Sequence, residues 1–419
     1  MSGAPRATRL ENGLRIVSEN VPGAASVAVG VWVESGSRHE RERLTGISHF
    51  IEHLLFKGTE RRTASQIAED IEGLGGSINA FTTKEHTCYH TRTLAEHLAP
   101  SLDVLADVFL RSLFRKEDVD LERDVILQEI FDCEDSPEEF VHDYFIARYW
   151  PGHPLGWNVT GSVESVSRVT REDVVAHVAE RYRPDRVIIS AAGRVEHDDV
   201  VALCRESFGT MTGSGPTEGV DRPDVRPGIF ISHRELEQVH IVVGLPGIAL
   251  TDDRREALEA LISALGGAMS SRLFQKVREE RGLAYTIYAF ENPFREIGHT
   301  GVYAATSKEH VAEVVDLVLE EISDVARNGL TNEELARTKR QLIGSIPLGL
   351  ESTENRMVRI ARNQTYFGRE VPVDEVIRTI DTVSPRDVVE LAREIFAFER
   401  LGIALLGDAQ EGMVSLPAG

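Results

Sequence analysis

A chain of 419 residues exceeds what one hydrophobic core usually organises, so two or more domains are expected. With 42% hydrophobic and 27% charged residues it reads as globular, not disordered, and no stretch approaches the ~20 apolar residues of a membrane span. The net charge of −22 argues against nucleic acid or an anionic membrane as partner and suits cationic ligands.

In chain order, residues 26–33 alternate valine with other residues, a half-buried strand pattern. Residues 46–56 are helical in period, with Ile47, Phe50, Ile51, Leu54 and Leu55 on one side. Thr63 with Gln66 forms a capping box that opens another helix. Residues 76–94 read as a strand pair and 95–150 as long helices. Runs of strands and runs of helices, without strict alternation, predict an α+β fold with a mostly antiparallel sheet packed with helices.

The second half echoes the first. VTREDVV at 169–175 matches VSPRDVV at 383–389, and RVIISAAG at 186–193 matches RLGIALLG at 400–407, both in one register 214 residues apart. Each copy is a capped helix followed by a short apolar strand. FRKEDV at 114–119 resembles LTNEEL at 330–335, each opening a long helix. Between the copies, residues 209–228 are rich in Gly, Pro, Thr and Ser. Two homologous domains follow, at 1–215 and 229–419, with a linker at 216–228.

Cys88, Cys133 and Cys204 have no CxxC spacing, so neither a disulfide framework nor a cysteine zinc site is expected. The N-terminal segment lacks the apolar run of a secretory signal, and a cytoplasmic, reducing location is the expectation.

The chemistry is concentrated in GISHFIEHLLF at 46–56. On a helix His49 and His53, at i and i+4, project from one face and both reach one metal. Glu52 borders that face and is placed to take a proton from an attacking water. HxxEH is the inverzincin signature. Catalytic zinc normally takes three protein ligands, so a third must lie elsewhere. Glu122 and Glu129 lie two helical turns apart on one face, so one can bind the metal while the other holds a ligand histidine by its free N–H. The repeat offers no equivalent: no histidine lies between His240 and His299, and Thr338 and Ser345 fall where Glu122 and Glu129 stand in the first copy.

With these motifs the sequence resembles the pitrilysin/insulysin family of inverzincin zinc metallopeptidases, and within it the small two-domain branch that includes the catalytic subunit of the mitochondrial processing peptidase. The 75 residues between His53 and Glu129, with Glu122 seven places earlier, match the family spacing. The resemblance implies one Zn2+ held by His49, His53 and Glu129, with Glu122 behind a histidine and Glu52 as general base. It implies that Asn79 and Ala80 form a substrate-pairing edge strand and that Arg278 and Tyr285 contact the scissile peptide. It also implies that Phe56 lines the pocket just past the cut and that Glu139 and Asp143 accept an arginine before it. The two domains then form half of a clamshell-like chamber, completed by a homodimer or by an inactive homologous subunit. The substrates implied are short or unfolded peptides, basic ones among them. The alternative is a non-catalytic structural or substrate-binding subunit.

Overall fold

The computed structural model describes residues 4–215 and 221–417. Residues 216–220 of the expected linker lie outside this range. The described chain forms two compact units, each built from more than one stretch of sequence. The first comprises residues up to Asp132, Trp157–Asp221 and Gly349–Val371; the second comprises Cys133–Gly156, Arg222–Leu348 and the residues from Pro372 onward.

The first unit holds strands β1 (Arg6–Arg9), β2 (Arg15–Asn20), β3 (Ser26–Val33), β4 (Ser77–Thr82), β5 (Thr87–Leu94) and β6 (Val187–Gly193). Their order is β1-β2-β6-β3-β5-β4. Only β2 and β6 run parallel; the other neighbours are antiparallel. The second unit holds β7 (Gly228–His233), β8 (Val239–Gly247), β9 (Ala284–Pro293), β10 (Gly298–Thr306) and β11 (Gly402–Gly407), in the order β7-β11-β8-β10-β9. Here too one pair, β7 and β11, is parallel. With β1 set aside, the two sheets have the same strand order and the same pairing sense. The repeat read from short sequence matches is therefore a repeat of topology.

Helices cover one face of each sheet in the expected way. In the first unit Ile47–Leu55, Leu98–Arg111 and His197–Phe208 pack against Val27, Val29, Val31 and Val33. In the second, Arg255–Gly266, Val311–Asn328 and Pro385–Ile395 pack against Ile241, Val243 and Leu245. The capping boxes expected at Thr63, Thr170 and Ser384 are formed.

The opposite face of each sheet differs from what alternation suggests. The pattern of β3 predicts one wet side, yet Ala28 and Trp32 on that side are buried. The cause is the helix Thr353–Phe367, whose Met357, Ile360 and Ala361 pack on Val17, Ala28, Trp32 and Ile188. In the second unit the helix Pro137–Tyr149 has the same place, with Val141, Phe145 and Tyr149 against Val242, Ala404 and Leu406. Each sheet is thus finished by a helix from the other half of the chain, and the compact units do not coincide with a single cut near residue 220. Small residues make room for both helices. A Cβ on Gly30 would stand 2.6 Å from Met357 Sδ, and one on Gly244 only 2.0 Å from the Phe145 ring.

Candidate metal centre

The motif helix Ile47–Leu55 buries Ile47, Phe50, Ile51, Leu54 and Leu55 in the first core. That choice of face turns His49, Glu52 and His53 away from the core. The second contributor is the long helix Lys116–Asp135, which buries Val119, Glu122, Ile126 and Ile130. Glu122 therefore stands in an apolar row and is 1% exposed, while Glu129, two turns on, is more open.

His49, His53 and Glu129 converge: one ligand atom from each lies within 4.8 Å of the others. Glu129 Oε2 stands 3.7 Å from His49 Nε2 and 3.6 Å from His53 Nε2. A tetrahedral zinc at ~2.1 Å from each donor sets ligand atoms ~3.4 Å apart, so two nitrogens and a carboxylate oxygen at this separation fit that ion. No other such group occurs among the described residues.

Hydrogen bonding fixes how the donors point. Glu122 Oε2 lies 3.0 Å from His53 Nδ1. A carboxylate only accepts, so Nδ1 carries the proton and Nε2 presents a lone pair toward Glu129. Glu122 is in turn 2.5 Å from Lys57 Nζ, which compensates its buried charge. Burial and the neighbouring His53 lower the pKa of His49 to about 4, which keeps it neutral and available as a donor. Burial also acts to lower His53, but the hydrogen bond to Glu122 and the nearby carboxylates outweigh it, and its pKa is raised. Glu122 is lowered, its bonds to His53 and Lys57 overcoming burial.

Glu52 lies beside this group. Burial raises its pKa, against the hydrogen bond from Thr82 and the charge of His53. Thr82 Oγ1 donates to Glu52 Oε2 at 2.5 Å. A raised pKa suits a carboxylate that must accept a proton and then release it.

The other expected residues are placed as follows. Asn79 and Ala80 lie on β4, the edge of the first sheet, whose outer side has no strand partner among the described residues. Phe56 caps the motif helix and packs half-buried against the same core. Arg278 and Tyr285 belong to the second unit, where the guanidinium lies 4.4 Å from the centre of the tyrosine ring. Glu139 and Asp143 also belong to that unit, on the helix Pro137–Tyr149. They line a cavity of about 490 Å3 with Glu138, His142 and Tyr288. Tyr288 donates to Glu138 at 2.8 Å and lies 3.0 Å from His142 Nε2.

Sequence reasoning passed over Lys57 and Thr82. Lys57 follows His53 by four residues, a helical spacing that would have suggested it. Thr82 comes from a strand distant in sequence and carries no such signal.

The counterpart of the motif helix in the second unit is Arg255–Gly266. Counting back from the matched strands β4 and β9, Leu258, Leu261 and Ile262 take the places of His49, Glu52 and His53, and all three are buried.

Comparison with known proteins agrees with this architecture. Residues 15–162 match the family model described as insulinase, peptidase family M16, and residues 168–342 match that of the peptidase M16 inactive domain. The chain is 41% identical over 409 residues to an uncharacterised zinc protease of Mycobacterium bovis, covering 96% of this chain and 93% of that protein. It is 39% identical to an uncharacterised zinc protease of Streptomyces coelicolor, covering 99% and 92%. The crystal structure of a peptidase M16 inactive domain from Pseudomonas fluorescens superposes with a TM-score of 0.90 at 19% identity, covering 97% of this chain and 98% of that one. The chain belongs to the insulinase family of peptidases, family M16. No described helix is long and apolar enough to cross a membrane.

Proposed function

We propose that the protein is a zinc-dependent endopeptidase acting on short or unfolded peptides, with a preference for arginine near the cut. The observation that carries this reading is the convergence of His49, His53 and Glu129 beside the carboxylate of Glu52. Its relatives named as zinc proteases are consistent with it.

His49, His53 and Glu129 would hold one zinc, which when bound supplies a Lewis acid that acidifies water and polarises a carbonyl. Glu52 takes the proton of the attacking water on its carboxylate and passes it to the leaving amine. Glu122 keeps His53 in the tautomer that binds metal. Arg278 and Tyr285 hold the carbonyl oxygen as it gains charge. The peptide adds as a strand along β4 at Asn79 and Ala80, a mode that reads backbone and leaves selectivity to pockets. Glu139 and Asp143 are the pocket for the arginine, and Phe56 lines the pocket past the cut. Such an enzyme acts as a homodimer in the cytoplasm, or with an inactive homologous subunit.

Glu52→Gln tests the mechanism. It should lower hydrolysis of fluorogenic peptides by about 10^2–10^4-fold while zinc measured by atomic absorption stays bound. Hydrolysis at the wild-type rate with zinc present would refute the role of Glu52. The pocket is tested by Glu139→Gln with Asp143→Asn, which should slow arginine-bearing peptides about tenfold or more, as loss of charge-assisted bonds predicts, and leave neutral ones unchanged. Equal loss on both classes would rule it out.

A further inference from the structure

We infer that Glu40 is a positioning residue for the metal centre: its buried carboxylate clamps the first turn of the helix that carries His49, Glu52 and His53. This rests on the reading of those histidines as zinc ligands.

A helix leaves its first N–H groups without partners, and a side chain at the N-cap normally takes them. Here the N-cap is Gly46, which has no side chain to offer. Nor can it be given one. Gly46 has φ +91°, and a Cβ there would stand 2.5 Å from the carbonyl oxygen of Thr160. Gly161, itself at φ +82°, packs against Gly46 from the other side of this contact. The close approach of the two glycine backbones docks the helix start but removes the ordinary cap.

Glu40 supplies what is missing. Its Oε2 accepts from the Gly46 N–H at 2.7 Å and its Oε1 from the Ser48 N–H at 2.8 Å. Both oxygens are thus spent on one turn, and the residue is 7% exposed. A carboxylate at a helix N-terminus also meets the positive end of the macrodipole. Ser48 immediately precedes His49, so the clamp acts one residue from a ligand. The helix is nine residues long, so a change in its first turn is carried to Glu52 and His53 within the next. Ligand atoms held 3.6–3.7 Å apart tolerate displacements of only about 0.5 Å before the donor set loosens.

Glu40→Gln is the sharpest variant, because it keeps shape and turns one of the two acceptors into a donor facing an N–H. Zinc affinity is measured by competition with a chromophoric chelator, together with the visible absorption of the cobalt(II) protein. Far-UV circular dichroism monitors the fold. The expected result is zinc bound about 10–100-fold more weakly, the range for groups that orient metal ligands, with an altered cobalt spectrum and unchanged helicity. Glu40→Asp keeps the charge but is one methylene too short to reach both N–H groups. It should fall between wild type and Glu40→Gln, and it serves if Glu40→Gln does not fold. Wild-type zinc affinity and cobalt spectrum in either folded variant would overturn the assignment. If the wild type binds zinc no better than His49→Ala does, the metal reading itself fails, and the clamp with it.

Discussion

At the scale of single residues, the candidate centre depends on side chains that touch neither metal nor substrate. Thr82 is the clearest. Its hydroxyl gives its one proton to Glu52 at 2.5 Å and so selects one orientation of the carboxylate. Thr82→Val removes the donor at nearly constant volume. It should lower kcat about tenfold, the size of one lost charge-assisted hydrogen bond of 1.5 kcal/mol or so, with KM and zinc content unchanged. Thr82→Ser, which keeps the hydroxyl, should restore kcat; an equal loss in both variants would argue for packing instead. The sequence makes His49, Glu52 and His53 legible because their relation lies within one helix and follows from 3.6 residues per turn. Glu122 and Glu129 are legible as a pair for the same reason, whereas which of them faces the histidines is a matter of how two helices pack. Thr82 reaches the site from a strand thirty residues on, and Glu40 bonds residues six and eight places ahead through an irregular segment that follows no helical or strand period, so no pattern marks either.

At the scale of elements, the two helices that finish the sheets explain both what the pattern predicted and where it stopped. The strands, the capped helices and their repeat are periodic features of contiguous sequence, and they are readable as such. The exchange of Thr353–Phe367 and Pro137–Tyr149 is not, because the residues each helix buries, Met357, Ile360 and Ala361 in one and Val141, Phe145 and Tyr149 in the other, carry no mark of which sheet they will cover. The trace it leaves is compositional: Gly30 opposite Met357 and Gly244 opposite Phe145 are small where a strand usually carries bulk. Met357 is fully buried between Trp32 and the neighbouring strands. Met357→Ala should destabilise the first unit by about 2–5 kcal/mol, through lost burial and the cavity left behind rigid walls. Leu348→Ala, at a side chain 69% exposed, should change stability by less than about 0.5 kcal/mol. Urea unfolding followed by far-UV circular dichroism measures both, and similar shifts would contradict the placement of the helix.

At the scale of the whole molecule, the two units share a topology but bury different chemistry, and acid separates them. The first unit holds His177 buried and His39 and His86 partly buried, each lowered to about 3, chiefly by burial, with nearby arginines adding. A histidine lowered in the folded state binds fewer protons than in the unfolded chain. Its contribution is intact above the unfolded value near 6.5 and is lost as pH falls from there toward 3, at roughly 1.4 kcal/mol per pH unit. Glu40 works the other way. Burial raises it to about 7, against its bonds from Ser48 and Gly46 and the charge of Lys84. It therefore adds stability as pH falls from 7 to about 4.5 and cancels one of the three histidines over that span. The net slope still favours unfolding of the first unit in acid. In the second unit the balance differs: burial and the charge of Glu259 raise Glu291 to about 7, and burial raises Glu256 and Glu259, which offsets the lowering of His142 and His240. Zinc-depleted protein taken from pH 7 to pH 4 should therefore lose hydrogen-exchange protection in β3 and β6 before β8 and β10. Earlier loss in β8 and β10, or simultaneous loss at every pH, would show that the histidines of the first unit do not set the acid limit.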